Sequence, residues 1–266
     1  MGETSLNPER FLTSKSGDLL AKRFEVIRTP NPKALALAAA GFWVDRSHEA
    51  VARRGQFTVA LTGGSGPVRL YQLLASPSWR ERIEWTKTHF FWGDDRFVPM
   101  DDPESNFALA NTTLLSALPL RPEQVHRIPT ELRDPQAAAD AYEAGLRRFF
   151  QLTTTGWPRF DLVLLGLATD GHIASLFPGS TTLEEAHRLV MAATPGLLPP
   201  KLDRVTMTLP VLNAARAVAF LVAGADKAAV VRQVLNGAVD LPATLVKPTD
   251  GELHWFVDAA AAGDGL

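Results

Sequence analysis

The stretch from Asp161 to Ser180, DLVLLGLATDGHIASLFPGS, constrains this chain more than any other. It opens on four consecutive apolar residues, Leu162 to Leu165, closed by Gly166. A run this short, with no polar alternation, predicts a strand buried on both faces, as in a parallel sheet. The small and turn-forming residues Gly166, Ala168, Asp170 and Gly171 follow, and then His172. A strand that ends in such a turn carries Asp and His to the carboxyl edge of the sheet, where open α/β folds bind ligands. A lone histidine is by default a packing residue. Directly after Asp-Gly at a strand end, His172 reads as a functional one.

Two look-alike motifs are excluded by single residues. Gly166 and Gly171 have the outer spacing of a nucleotide-binding P-loop, but its lysine is replaced by His172, so no ATP or GTP site of that type is expected. Gly63-Gly64-Ser65-Gly66-Pro67 has the outline of a serine-hydrolase nucleophile elbow, yet Pro67 stands where the last glycine belongs. Read instead as strand (Phe57 to Leu61), glycine turn and amphipathic helix (Val68, Leu70, Tyr71, Leu73, Leu74), the segment forms an anion cradle. Glycines let backbone amides approach an oxyanion, and the helix N-terminus adds a favourable dipole. The plain alternative is a tight turn with no ligand. The paired glycines and Ser65 favour phosphate.

In chain order, Phe24 to Ile27 is a first strand, and Asn31-Pro32 starts a long helix through Arg53. Leu37, Ala40, Val44, His48 and Val51 recur along it at helical spacing, with Trp43 and His48 as packing and surface residues. Thr88 to Gly93 is a third strand ending in Asp94-Asp95-Arg96, where two carboxylates beside an arginine face the cleft. Ser105-Asn106 starts a helix, and another covers the sheet from Pro135 to Leu152. Leu189 to Ala192 and Val205 to Thr208 are strands, with Arg204 at the start of the second and a Pro-rich loop, Pro195 to Pro200, bordering the site mouth between them. Ala217 to Val222 leads through Gly224 to Lys227 and a helix; Leu253 to Val257 closes the sheet. This alternation predicts a doubly wound, mostly parallel α/β sheet flanked by helices, with a small appended subdomain. One domain is expected over residues 24–258, after an N-terminal tail or short helix (1–23) and before a frayed C-terminal tail (259–266).

Net charge is −2, from 27 basic and 29 acidic residues, which gives no reason to expect a nucleic-acid partner. Cysteine is absent, which removes disulfides, thiol nucleophiles and cysteine zinc sites and fits the cytoplasm. None of the six histidines is paired at helix-ligand spacing, so no metal is expected. No uncharged apolar run reaches the roughly 18 residues of a membrane helix.

Three segments together, LTGGSGPVRLYQLLA (61–75), WGDDRFVPMDDPESNFALAN (92–111) and DLVLLGLATDGHIASLFPGS (161–180), are similar to the 6-phosphogluconolactonases of the oxidative pentose phosphate pathway. Arg204 before Val205-Thr206, and Gly224-x-x-Lys227, fit the later motifs of that family. The resemblance implies a NagB/RpiA-like fold and cofactor-free hydrolysis of a small sugar-phosphate lactone by a monomer or homodimer. By the same resemblance His172 is the general base, Asp170 orients it or its turn, and Arg96 stabilises developing negative charge. Asp94 positions Arg96 or a sugar hydroxyl. Gly63, Gly64, Ser65, Gly66, Arg204 and Lys227 hold the phosphate. Three departures lie beside the site: Asp95 for a usual glutamate, Ala168 for glycine and Gly66 for threonine. The related glucosamine-6-phosphate deaminases continue after the histidine with Phe-Asn-Glu-Pro, whereas Ser175-Leu176-Phe177-Pro178 has no glutamate. They also carry tyrosine at the place of Arg96. A non-catalytic sugar-phosphate sensor is the third reading, disfavoured by the intact His172 and Arg96.

Overall fold

The computed structural model describes residues 24–237 and 241–263. The tail or helix expected over residues 1–23 and the last three residues of the expected C-terminal tail lie outside them.

The strands are β1 (Phe24–Thr29), β2 (Phe57–Leu61), β3 (Thr88–Trp92), β4 (Asp94–Arg96), β5 (Leu162–Leu165), β6 (Val190–Ala193), β7 (Arg204–Met207), β8 (Ala217–Val222) and β9 (Glu252–Asp258). The helices are α1 (Pro32–Arg54), α2 (Val68–Ala75), α3 (Pro77–Arg80), α4 (Asn106–Thr113), α5 (Pro135–Phe149), α6 (Leu209–Asn213), α7 (Ala228–Leu235) and α8 (Ala259–Ala262). Six strands form one parallel sheet in the order β1-β9-β8-β5-β2-β3. Every residue of β2, β5 and β8 is buried, as expected of apolar strands covered by helices on both faces. Aromatic rings fill much of the core, among them Phe220 stacked on Trp255 with centroids 3.9 Å apart.

From β2 the chain passes to β3 at one edge of the sheet, whereas from β5 it proceeds to β8 on the other side. The topological switch point therefore lies between β2 and β5. At such a point the two loops leave their strand ends in divergent directions and open a crevice. The appended unit is a three-stranded antiparallel sheet, β4-β7-β6. It joins the main sheet at Gly93, whose N–H donates to Leu61 O at 3.0 Å while its carbonyl accepts from Met207 N at 2.7 Å.

Local chemistry sets the helix ends. Asn31 caps α1 by accepting from Ala34 N at 2.9 Å, and Gly55, in the left-handed region, ends it. The buried stripe of α1 is Leu35, Ala36, Ala39, Ala40, Trp43, Ser47 and Ala50 rather than Leu37, Val44 and Val51, while Trp43 packs inside and His48 is exposed, as expected. The helix packs closely on α2, β2 and β9, and small side chains permit that approach. Helix α5 stops at Phe149, three residues before the expected end, and Gln151 beyond it takes a positive φ of 52°. Residues Ala259 to Ala262, expected to fray, form the turn α8: Asp258 caps it through Ala261 N at 2.8 Å, and Ala261 and Ala262 are buried.

Candidate active site

The loops after β2 and β5 open into a cleft of about 310 Å³ at the switch point. Its walls include Gly63 to Gly66 after β2, Asp94 and Arg96 on β4, Ala168 and His172 after β5, Arg204 on β7 and Lys227 after β8. Of the ten residues singled out in the sequence, nine line this one cleft. The tenth, Asp170, stands behind His172.

Asp170 acts on both the turn and the ring. Its Oδ1 accepts from His172 N at 3.1 Å and lies 2.7 Å from His172 Nδ1. That bond directs Nε2 to the cleft, without a protein partner among the described residues. Burial pushes the imidazole below its ordinary 6.5, and Asp170 pulls the other way. The ring also packs on Phe177, with centroids 4.7 Å apart. Two residues on, Ala174 holds a φ of +46°, a conformation that costs a non-glycine residue roughly 1–3 kcal/mol. Strain of this kind, beside His172 and inside the cleft, marks a segment held by its surroundings. Ser175, fully buried, supplies that hold: its Oγ donates to Asp94 Oδ2 at 2.6 Å.

The two neighbouring carboxylates divide in role. Asp94 opens to the cleft, with Ser175 on one oxygen and Asn106 Nδ2 donating to the other at 3.3 Å. Its hydrogen bonds go to Ser175 and Asn106, and those of the Arg96 guanidinium to Glu104, so no hydrogen bond or ion pair joins Asp94 to Arg96. Asp95 turns inward and is 1% exposed, against the expectation that both carboxylates face the cleft. It accepts from Arg96 N (2.8 Å), Asn106 N (2.6 Å) and Phe107 N (3.0 Å), which anchors β4 to the start of α4. Burial pushes its carboxyl up to about 6, while these amide bonds pull it down.

Arg96 and Arg204 face each other across the antiparallel β4–β7 pair. Like charges directly opposite destabilise a sheet unless an anion lies between or beside them. Each guanidinium has a buried Nε with no hydrogen-bond partner. Arg96 reaches the carbonyl and carboxylate of Glu104, and Arg204 donates to Pro200 O at 3.1 Å. Burial lowers the Arg204 pKa, Asp94 opposes that, and Arg96 adds to it. The expected border role of the Pro-rich loop matches its position, since Leu198, Pro199 and Pro200 line the cleft.

In the cradle, Gly64 takes a φ of +76°, open to glycine at little cost. A Cβ on Gly63 would stand 1.7 Å from Asn106 Oδ1, so this position admits no side chain while Asn106 holds its place. Asn106 is the residue that sequence reasoning missed. It is 2% exposed, its Oδ1 is unpartnered, and it joins the cradle to Asp94. The available signal, a polar residue at the first position of a helix, has too many other causes to single it out. Among the described residues no three His, Asp or Glu side chains converge as metal ligands would. No helix there is long and apolar enough to cross a membrane.

Fold and cleft together define a class: a doubly wound α/β protein with a cationic, histidine-bearing cleft at its switch point. The chain belongs to the family of glucosamine-6-phosphate isomerases and 6-phosphogluconolactonases, which matches residues 30–255. It is 41% identical over 224 residues to a Synechocystis 6-phosphogluconolactonase, covering 83% of this chain and 89% of that one. It is 35% identical to the chloroplastic 6-phosphogluconolactonase 3 of Arabidopsis thaliana, covering 98% and 80%. Among solved structures, the Trypanosoma brucei 6-phosphogluconolactonase superposes with a TM-score of 0.80 at 27% identity, covering 91% of this chain and 98% of that one. A monomeric glucosamine-6-phosphate deaminase shares the fold at a TM-score of 0.73 and 21% identity, covering 90% and 98%. Backbone shape therefore does not separate the two activities.

Proposed function

We propose that this chain hydrolyses 6-phospho-D-glucono-1,5-lactone to 6-phospho-D-gluconate, the lactonase step of the oxidative pentose phosphate pathway. The observation that carries the reading is the His172–Asp170 pair in one cleft with Arg96, Arg204 and the glycine cradle. The lactonase names of relatives that span most of the chain support it.

Nε2 of neutral His172 takes a proton from water, and the water oxygen bonds to C1 of the lactone. Negative charge moves onto the carbonyl oxygen, where Arg96 stabilises it. As the tetrahedral species collapses, the C1–O5 bond breaks and the imidazolium returns its proton to O5. One water is consumed, and the new carboxylic acid ionises in solution. Asp94, held ready by Ser175 and Asn106, accepts a hydrogen bond from a sugar hydroxyl. The amides of Gly64, Ser65 and Gly66 cradle the phosphate beside Gly63, with Arg204 and Lys227 supplying charge. An activated δ-lactone needs neither a metal nor an acyl-enzyme for this chemistry.

All these residues come from one chain, so the reading is served by a monomer or a homodimer. A cytoplasmic place of action is part of it, supported by the cysteine-free sequence; the Arabidopsis relative is chloroplastic by name. The deciding experiment follows the disappearance of 6-phosphoglucono-δ-lactone, corrected for spontaneous hydrolysis. Saturable acceleration, far stronger than with unphosphorylated gluconolactone, is the expected result. No acceleration over the spontaneous rate would end the assignment.

A further inference from the structure

The chain has two tyrosines, Tyr71 on α2 and Tyr142 on α5, and both are buried in the same unusual way. The Tyr71 hydroxyl donates to Thr62 O at 2.8 Å and accepts from Thr62 N at 3.1 Å. The Tyr142 hydroxyl donates to Trp92 O at 3.0 Å and accepts from Trp92 N at 2.9 Å. Each hydroxyl thus satisfies both backbone groups of one residue, as a neighbouring strand would.

The sheet has no strand to offer at either place. The β2–β5 ladder ends at Ala60↔Val163, and past it the chains diverge around the cleft. Strand β3 is the edge of the sheet, so the outward groups of Trp92 face no ladder partner. Thr62 immediately precedes the glycine cradle, and Trp92 immediately precedes Gly93 and the Asp94–Arg96 arm. Burial raises both phenol pKa values, so the hydroxyls keep the proton they donate.

We propose that Tyr71 and Tyr142 are positioning residues, one for each half of the cleft. Tyr71 sets the cradle that holds the phosphate, and Tyr142 sets the arm that faces the reacting carbonyl. The proposal rests on the lactonase reading for its substrate.

The test compares Tyr71→Phe and Tyr142→Phe with the unaltered full chain, on 6-phosphoglucono-δ-lactone and on glucono-δ-lactone. Tyr71→Phe is expected to raise KM for the phosphorylated lactone about tenfold, leaving its kcat and the unphosphorylated reaction nearly unchanged. Tyr142→Phe is expected to lower kcat on both substrates about tenfold, with the KM for the phosphorylated lactone nearly unchanged. Two variants with the same signature, or a fall in kcat that only tracks the folded fraction, would overturn the proposal. For a variant that does not fold, 3-fluorotyrosine placed at one site at a time keeps both hydroxyls. Inorganic phosphate should then shift the ¹⁹F resonance at position 71 and not at 142; equal shifts, or none at 71, overturn the proposal. An unaltered chain with no lactonase activity would count against the lactonase reading instead.

Discussion

His172 shows how a single side chain acquires its working state. Burial lowers its pKa, and the 2.7 Å contact with Asp170 restores part of the loss while aiming Nε2 at the cleft. A base must be neutral to accept a proton, so a lowered pKa keeps it competent below pH 6.5. The acid limb of kcat/KM is therefore expected below pH 6.5. Asp170→Asn removes the group that raises the pKa, so the limb should move to still lower pH as the rate falls; a limb that moves upward would refute the pairing. His172→Ala should lose about 10²- to 10⁴-fold in kcat, with circular dichroism and product affinity nearly unchanged. Ser65 is assigned one hydrogen bond to phosphate and no covalent step. Ser65→Ala should thus cost about 0.5–1.5 kcal/mol if the bond is neutral and up to about 3 if charge-assisted, mainly in KM. Fluorophosphonates should leave the protein unlabelled, and stoichiometric labelling of Ser65 would demand an acyl-enzyme mechanism instead.

Among the elements, β4 matters most for its length of only three residues. It leaves the parallel sheet at Gly93, pairs antiparallel with β7, and so brings Arg96 opposite Arg204. Asp95 fixes that departure by binding the first two amides of α4 and the amide of Arg96. Asp95→Ala would leave these donors unpaired in a buried place. The loss should be about 1–3 kcal/mol, read as a lower denaturant midpoint with an unchanged slope, together with reduced kcat from a displaced Arg96. An Asp95→Ala protein as stable and as active as the parent would show that β4 is held by its ladder alone.

For the whole molecule, the cleft is built from loops after β2, β5 and β8 and from the small sheet, so a ligand held there would link the two sheets. The product 6-phosphogluconate at a hundred times its Kd should stabilise the protein by about 2.7 kcal/mol. For a domain of this size that corresponds to a rise in Tm of roughly 5–10 °C. Unphosphorylated gluconate should give little, and an equal shift from both would remove phosphate from the binding scheme. Much of this architecture is written locally: the apolar runs of β2, β5 and β8, the glycine turn, and Asp-Gly-His need only neighbouring residues to declare a buried strand and a functional loop. Period and turn chemistry act over a few residues, and the motifs that carry the family lie within them. The buried face of α1 escaped that reading because an alanine-rich helix is apolar on several sides, and only close packing on α2, β2 and β9 selects one. Sequence alone likewise could not separate the neighbours Asp94 and Asp95. Asp94 reaches the cleft because Ser175, 81 residues away, binds its carboxylate, while Asp95 turns inward to α4. The strand ends and their chemistry were determined by the sequence itself; which side chains meet across the cleft was decided by the tertiary structure, because those bonds join residues that no local pattern relates.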